Sequence, residues 1–151
     1  MLPAVSELTD HLGYWLRQVS NHVSHSFARR LAAKEVTVAE WALMRMLYGQ
    51  EPMSPSRLAD RMGLTRGAVT RLAGRLIAKA LVVREFCPDD RRAQTLGLTA
   101  KGEAFVPELA VLADLNDAAC FAHLSEEERR VLELILKGMV ARLGLTAMPV
   151  D

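Results

Sequence analysis

The densest group of chemically versatile side chains lies in residues 86–95, which read FCPDDRRAQT. This segment places the Cys87 thiol, the Asp89 and Asp90 carboxylates and two guanidinium groups within a few positions. Adjacent carboxylates diverge in an extended turn, so they make a poor pair for acid–base catalysis. The sequence also shows no Ser–His–acid order, phosphate-cradling loop or metal-ligand motif. We therefore predict that the protein is not an enzyme and that it needs no cofactor.

Opposed charges in this segment are better suited to holding an anionic partner. Arginine presents a planar fork to phosphate or to guanine. Residues 54–92 contain nine Lys/Arg and four Asp/Glu, a balance of +5, whereas the whole chain carries +1, which leaves −4 for the remainder. This asymmetry predicts an anionic partner for the middle of the chain, and a solvated basic face is the alternative.

The elements that must position these charges begin with two short helices. Ser54 followed by Pro55 is typical of a helix start, because proline at the first helical position loses no needed N–H. Gly63 ends this helix, and Thr65 caps the next one. The inward stripe of the second helix is Val69, Leu72, Ala73 and Leu76. Two short helices joined by a glycine turn predict a helix-turn-helix.

The second helix of a helix-turn-helix enters the major groove of DNA, with its first residues nearest the base edges. At 100° per residue, the side opposite the inward stripe carries two glycines and two arginines. The predicted DNA contacts of this helix are Thr65, Arg66, Gly67, Thr70, Arg71 and Arg75. A solvated surface with neutral glycines is the alternative interpretation.

Two strand-like runs, LVVREF and QTLGLT, follow this helix and flank the loop CPDDRRA. They predict an antiparallel wing whose tip arginines enter the narrow minor groove, while an aspartate holds the turn in shape. The predicted wing contacts are Arg84, Asp90, Arg91 and Arg92. The alternative is an exposed ion pair worth at most about 1 kcal/mol.

Long helices flank this region on both sides. Apolar residues at three- and four-residue steps predict a helix over 6–33, and Thr37 with Glu40 forms the pattern of a capping box for the next helix. The chain turns helical again after Thr99, with Pro107 marking either a kink or a later start. Ser125 caps the last helix. The fold class is therefore mainly α, with a small antiparallel β wing.

Composition agrees with this fold. Half of the 151 residues are hydrophobic and only 5% are aromatic, which favours aliphatic packing between helices. Two cysteines are too few for a disulfide framework. The first residues lack the pattern of a secretory signal, and no run approaches the roughly 18–20 apolar residues of a membrane span. We therefore expect a cytoplasmic protein with no membrane partner.

The stretch LTRGAVTRLAGRLIAKALVVREFCPDDRRAQTLGLTAKG resembles the core of the MarR family of bacterial transcriptional regulators. The specific part of the resemblance covers residues 37–102, and the family's Asp-x-Arg wing motif falls on Asp90 and Arg92. The resemblance implies one MarR-like domain over 1–151. In it, a winged helix-turn-helix over 37–100 is flanked by dimerisation helices over 6–33 and 103–145.

The resemblance further implies a homodimer that binds a pseudo-palindromic operator in double-stranded DNA. Such a protein usually acts as a repressor that a small-molecule inducer releases. A dimer agrees with the excess of apolar surface expected over residues 8–31 and 109–143, which one copy would struggle to cover. The chain departs from the common family pattern at Gly67 and at Ala73–Gly74, which bears on operator preference.

The inducer site is open to several interpretations. The predicted ligand-binding residues are Tyr14, Trp15, His22, His25 and Trp41. Histidines three residues apart could share a metal ion, but the further ligands that zinc needs cannot be placed, so no metal site is predicted. Cys87 lies near arginines that could favour its thiolate and make it an oxidant sensor. Cys120 is expected to fill a core position. A winged helix used only for protein contacts would need no outward arginines.

Overall fold

Helices carry most of the architecture. The computed structural model describes residues 1–150, and of Arg91 and Arg92 only the backbone. The elements are α1 (Leu12–Ala32), α2 (Val38–Leu47), α3 (Pro55–Met62), α4 (Arg66–Ala78), β1 (Val82–Cys87), β2 (Asp90–Leu98), α5 (Ala100–Cys120) and α6 (Glu126–Leu143). The two strands form one antiparallel sheet. The predicted fold class, mainly α with a small β wing, is confirmed.

The helix-turn-helix is delimited by the residues that the sequence indicated. The Ser54 hydroxyl oxygen accepts a hydrogen bond from the Arg57 N–H at 3.2 Å, and Thr65 accepts one from the Ala68 N–H at 3.1 Å. Gly63 ends α3 in the left-handed conformation at φ +66°, which glycine adopts without steric cost. These local contacts fix the turn between α3 and α4.

The capping box at the start of α6 is complete, whereas the one predicted for α2 is not. Ser125 accepts from the Glu128 N–H at 3.1 Å, and the Glu128 carboxylate accepts from the Ser125 N–H at 3.0 Å. Thr37 likewise accepts from the Glu40 N–H at 3.1 Å. The Glu40 carboxylate, however, accepts from Lys79 Nζ at 2.9 Å. The predicted box at the start of α2 is therefore wrong in its second half.

The hydrophobic core is one cluster that joins α2, α3, α4 and the sheet to the ends of α1 and α5. We call α2, α3, α4, β1 and β2 the central lobe. The largest fully buried side chains are Leu31, Leu43, Met44, Leu47, Leu58, Met62, Val69, Leu76, Leu96, Val106 and Leu109. All four residues of the predicted inward stripe of α4 are buried. Burial of such side chains stabilises the fold by about 1.5–3 kcal/mol each.

The first helix is shorter than predicted. Instead of beginning near residue 6, α1 begins at Leu12, after a 3-10 turn over Leu8–Asp10. The Asp10 carboxylate accepts from the Glu7 N–H at 2.9 Å, and His11 is extended at φ −100° and ψ 127°. The extended backbone at His11 separates this 3-10 turn from α1, so the two do not form one continuous helix.

The fifth helix passes through its proline. Thr99 caps α5 by accepting from the Gly102 N–H at 3.1 Å, and the helix continues through Pro107 to Cys120. The alternative of a later start is therefore wrong. Close packing fixes the first turn, because a Cβ at Gly102 would lie 2.2 Å from the Leu81 carbonyl oxygen.

The wing has a shorter turn than the predicted loop CPDDRRA. Only residues 88 and 89 form the turn, and the strands extend to Cys87 and from Asp90, with a register shift between Phe86 and Cys87. Met53, which precedes α3, pairs with Leu96 through two backbone hydrogen bonds of 3.0 and 2.7 Å. These bonds attach the base of the wing to the helix-turn-helix.

The last helix contrasts with the central lobe, because none of the 18 residues of α6 is buried. Its large exposed apolar residues are Val131, Leu134, Ile135, Leu136, Met139, Val140 and Leu143. On α1, Leu12, Trp15, Leu16 and Val19 are exposed as well. Within residues 1–150, no helix is long and apolar enough to cross a membrane.

Beyond α6, the chain returns to the central lobe. Gly144 reverses its direction at φ +63°. Met148 and Val150 are half-buried against the core cluster. Ala147 lies over the turn between α3 and α4, where a Cβ at Gly63 would come within 2.9 Å of the Ala147 Cβ. We call residues 144–150 the C-terminal strap.

Candidate nucleic-acid interface

The second helix of the helix-turn-helix, α4, presents a continuous exposed side. Its buried residues face the core, and the opposite side is open to solvent. The exposed residues are Thr65, Arg66, Gly67, Thr70, Arg71, Gly74 and Arg75. The outward orientation predicted for Gly67, Thr70, Arg71, Gly74 and Arg75 is confirmed. This side is therefore free to contact a groove of nucleic acid.

The first turn of α4 combines two features that suit an anion, and Thr70 in the next turn adds a group that suits a base. The helix N-terminus carries the positive end of the helix dipole, and Arg66 adds a full charge there. The Thr70 hydroxyl donates to the Arg66 carbonyl oxygen at 2.9 Å. Because that donor is occupied, Thr70 offers an approaching base an acceptor oxygen and a methyl group.

The two glycines on this side are not required by the packing of the chain. Among the described atoms, none lies within 4 Å of the position that a Cβ would take at Gly67 or at Gly74. The contrast with Gly102, which packs against Leu81, is clear. The absence of bulk on α4 is consistent with the predicted close approach of another backbone or groove.

The wing places further groups beside α4. Arg84 is exposed on β1 and pairs with Leu96 on β2. Asp90 is exposed at the first position of β2, next to the turn. The side chains of Arg91 and Arg92 lie outside the described set, so the minor-groove role of both remains a prediction.

Three further exposed residues of the helix-turn-helix and the wing were not among the predicted contacts. Arg57 and Arg61 on α3 are exposed and add positive charge. Phe86 on β1 is 61% exposed, although the apolar run that contains it predicted only a strand. Its place at the end of the run LVVREF, beside the turn, was the available signal.

The predicted ligand residues do not form one cluster within the chain. Trp41 is half-buried and packs edge-to-face on Phe27, with ring centroids 6.4 Å apart. Tyr14 and Trp15 pack edge-to-face at 5.1 Å near the start of α1. Trp15 Nε1 also donates to the Thr9 carbonyl at 3.0 Å. Trp41 and the Tyr14–Trp15 pair therefore pack against different neighbours.

Both predicted histidines are exposed on α1, but only His22 lines a described cavity. That cavity of about 660 Å³ lies between α1 and the turn from α5 to α6, and Cys120 and His123 line it too. Cys120 is half-buried there, so its predicted core position is wrong. Cys87 is also half-buried, in the wing. Among the described residues, no three His, Cys, Asp or Glu side chains are grouped closely enough to hold a metal ion.

A buried amide that no sequence pattern indicated joins α1 to α5. Asn116 is 4% exposed; its Oδ1 accepts from Arg30 Nε at 3.3 Å, and its Nδ2 donates to the Val23 carbonyl at 3.2 Å. A buried amide is costly unless it is hydrogen-bonded, and both of its ends are satisfied here. The contact fixes the flanking helices relative to each other.

Comparisons with known proteins agree with this geometry. The sequence model of the MarR family matches residues 34–93. An uncharacterized HTH-type transcriptional regulator of Bacillus cereus is 30% identical over 131 residues, covering 82% of this chain and 84% of that protein. A putative transcriptional regulatory protein for the hcr operon of Thauera aromatica is 28% identical over 144 residues, covering 89% of this chain and 87% of that protein.

Solved structures show the same fold. A MarR mutant from E. coli complexed with operator DNA superposes with a TM-score of 0.76 at 22% identity, covering 90% of this chain and 99% of that one. Bordetella bronchiseptica BpsR, whose DNA binding is regulated by 6-hydroxynicotinic acid, gives 0.77 at 23% identity, covering 90% and 97%. The relatives are regulators rather than enzymes, as the sequence predicted, and the chain belongs to the MarR family of transcriptional regulators.

Proposed function

We propose that this regulator is a homodimer that binds a pseudo-palindromic operator in double-stranded DNA and represses transcription until a small-molecule inducer releases it. The exposed side of α4, with Arg71 and Arg75 one turn apart beside an arginine-bearing wing, is the observation that carries the proposal. A protein with this role would act in the cytoplasm, where the bacterial chromosome lies.

In the proposed complex, α4 occupies the major groove. Arg71 and Arg75 contact phosphate or guanine, while Thr65, Arg66 and Gly67 lie nearest the bases. The wing approaches the minor groove through Arg84, Arg91 and Arg92, with Asp90 bracing them. The complex of operator DNA with the E. coli MarR mutant, which shares this fold, supports the arrangement.

The amount of exposed surface supports a dimer. A monomer of 151 residues typically exposes about 7,600 Å², whereas this chain exposes 10772 Å². The excess of about 3,000 Å² per chain, about 6,000 Å² for two copies, falls at the upper end of what obligate dimers bury, and the apolar sides of α1 and α6 contribute to it. We propose that these two helices pair with the same helices of a second copy.

A small organic inducer fits the same picture. The protein can adopt one arrangement that binds DNA and another that does not. A ligand with higher affinity for the second arrangement shifts the population of molecules off the operator. The effect of 6-hydroxynicotinic acid on BpsR supports this extension to a protein of the same fold. The candidate contacts remain Tyr14, Trp15, His22, His25 and Trp41, which a second copy would have to complete.

Selection of bound fragments from the source genome tests the proposal. The purified full chain should enrich fragments that share an inverted repeat, with affinity that falls steeply as salt rises. Enrichment of no DNA would refute the proposal and favour a winged helix that contacts only proteins. A repeat without two-fold symmetry would refute the dimeric arrangement.

An arginine substitution then tests the assigned face. Arg71→Ala should weaken binding to the selected operator by about 1–3 kcal/mol if Arg71 reads a base. Arg130→Ala removes the same charge from an exposed position on α6 and should change affinity less than about twofold. Fluorescence anisotropy on both variants at matched salt measures this, and equal losses would contradict the assignment of α4.

A further inference from the structure

The C-terminal end of α4 is anchored by an ion pair outside the exposed DNA-facing side. Lys79, the residue that caps α4, donates from Nζ to Glu40 Oε2 at 2.9 Å and to the Glu35 carbonyl oxygen at 2.5 Å. Glu40 lies on α2 and is only 2% exposed. A buried carboxylate on one helix is thus neutralised by an ammonium group at the end of another.

Further contacts bind the same point to α5. Lys101 Nζ donates to the Lys79 carbonyl oxygen at 3.0 Å, and the Thr99 hydroxyl donates to the Ala80 carbonyl oxygen at 2.7 Å. The end of α4 is therefore fixed to α2, to the segment before α2 and to the first turn of α5. Helix α5 is itself one of the two long helices that flank the central lobe on the C-terminal side.

An ion pair of this kind fixes the relative orientation of two helices more reliably than it stabilises the fold. Removing a carboxylate from water costs free energy that the attraction to its partner offsets only in part, so apolar residues of similar volume are often as stabilising. An ion pair with a fixed hydrogen-bond geometry, however, restricts how the two helices lie relative to each other. The geometry of the pair, rather than its energy, is what an apolar replacement would lose.

Because α4 is long, a small tilt about its C-terminal end displaces its first turn by a larger distance. At 1.5 Å per residue its 13 residues span about 20 Å, so a tilt of about 10° about Lys79 moves the first turn by about 3 Å. Hydrogen bonds to base edges do not survive such a displacement. In the proposed complex, a change at this anchor would therefore shift where Arg66 and Thr70 meet the DNA.

We propose that Glu40 and Lys79 are positioning residues for operator recognition. They set the angle of α4 relative to α2 and α5, and they do not contact DNA themselves. This inference rests on the proposed DNA-binding function. It states that two residues behind the DNA-facing side contribute to the specificity of operator binding.

The double variant Glu40→Gln/Lys79→Met, in the full chain, tests the inference, because it removes both charges together and leaves no buried carboxylate unpaired. Affinity for the selected operator should fall about tenfold, the size of one mismatched base pair. Affinity for random-sequence DNA at the same salt should stay within about twofold, because phosphate contacts persist. The matched control is Glu133→Gln/Lys137→Met, which removes an exposed ion pair on α6 and should preserve both affinities.

The alternatives give different results. Wild-type affinity for the operator in the double variant would overturn the inference. Equal losses on operator and random DNA, with the salt dependence reduced by about one counterion, would overturn it by showing that Lys79 contacts phosphate. If the double variant does not fold, as judged by circular dichroism, Glu40→Gln alone decides by the same two affinities. A wild-type protein that enriches no DNA refutes the proposed function, whereas equal operator affinity of wild type and variants refutes only this inference.

Discussion

Helices α4 and α6 look alike in the sequence and differ completely in the fold. Both begin at a hydroxyl residue that caps the first turn, and both carry apolar residues at helical spacing. In α4 the whole stripe is buried in the central lobe, whereas in α6 no residue is buried. Helical periodicity identifies an apolar side but does not say which chain covers it.

The difference separates two kinds of stability within one protein. The central lobe satisfies its apolar surface within the chain, so its stability should depend little on concentration. The apolar side of α6 has no such cover, and its burial in the proposed dimer depends on protein concentration. Substitutions in the central lobe should therefore lower the stability of the single chain, whereas substitutions on the apolar side of α6 should weaken association between chains.

The strongest test of this contrast is a charge on the apolar side of α6. Ile135 is 55% exposed in the single chain, so Ile135→Asp should leave the central lobe folded. In the proposed dimer it would bury an unpaired carboxylate from each copy, raising the dimer Kd by more than about a thousandfold. Analytical ultracentrifugation measures the association, with Arg130→Ala as the control on the same helix. A dimer as tight as wild type would place the interface elsewhere.

A cavity in the central lobe should give the opposite result. Leu76 is fully buried on α4, and Leu76→Ala should lower the free energy of unfolding by about 2–5 kcal/mol. Chemical denaturation followed by circular dichroism measures the loss at several protein concentrations. If the loss were confined to low concentration, the lobe would depend on association as much as α6 does.

The smallest effect is expected at the start of α6. Ser125→Ala removes a cap and should lower the free energy of unfolding by about 1 kcal/mol.

Hydrogen bonding from the Ser125 backbone N–H, and secondarily from its side chain, lowers the pKa of Glu128. A lowered folded-state pKa means that the stabilisation is present above the unfolded-state pKa and is lost as pH falls through the folded one. The stability difference between wild type and Glu128→Gln should therefore shrink in the acid range, and a difference independent of pH would contradict the pairing.

The parts of the structure that the sequence predicted depend on neighbours within about four residues. The caps Ser54, Thr65 and Ser125 and the turn at Gly63 are of this kind, because donor and acceptor lie in one turn of chain. The outward side of α4 followed from its buried stripe by helical geometry alone.

The parts that could not be predicted depend on distant partners. Glu40 suits a capping box, yet Lys79, on another helix, takes its carboxylate. Asn116 is explained only by Arg30 and Val23 across the packing of α1 on α5. The dispersed ligand candidates show the same limit, since the positions of aromatic and histidine residues along α1 and α2 do not indicate which neighbours enclose them.

The C-terminal strap has a consequence for the order in which the protein matures. Synthesis adds about 5–20 residues per second, so the strap leaves the ribosome on the order of a few seconds after the last core residue of α5. The central lobe can close before its turn at Gly63 receives the cover of Ala147. A nascent regulator would thus pass through a stage in which its helix-turn-helix is formed but its turn at Gly63 is not yet covered by Ala147.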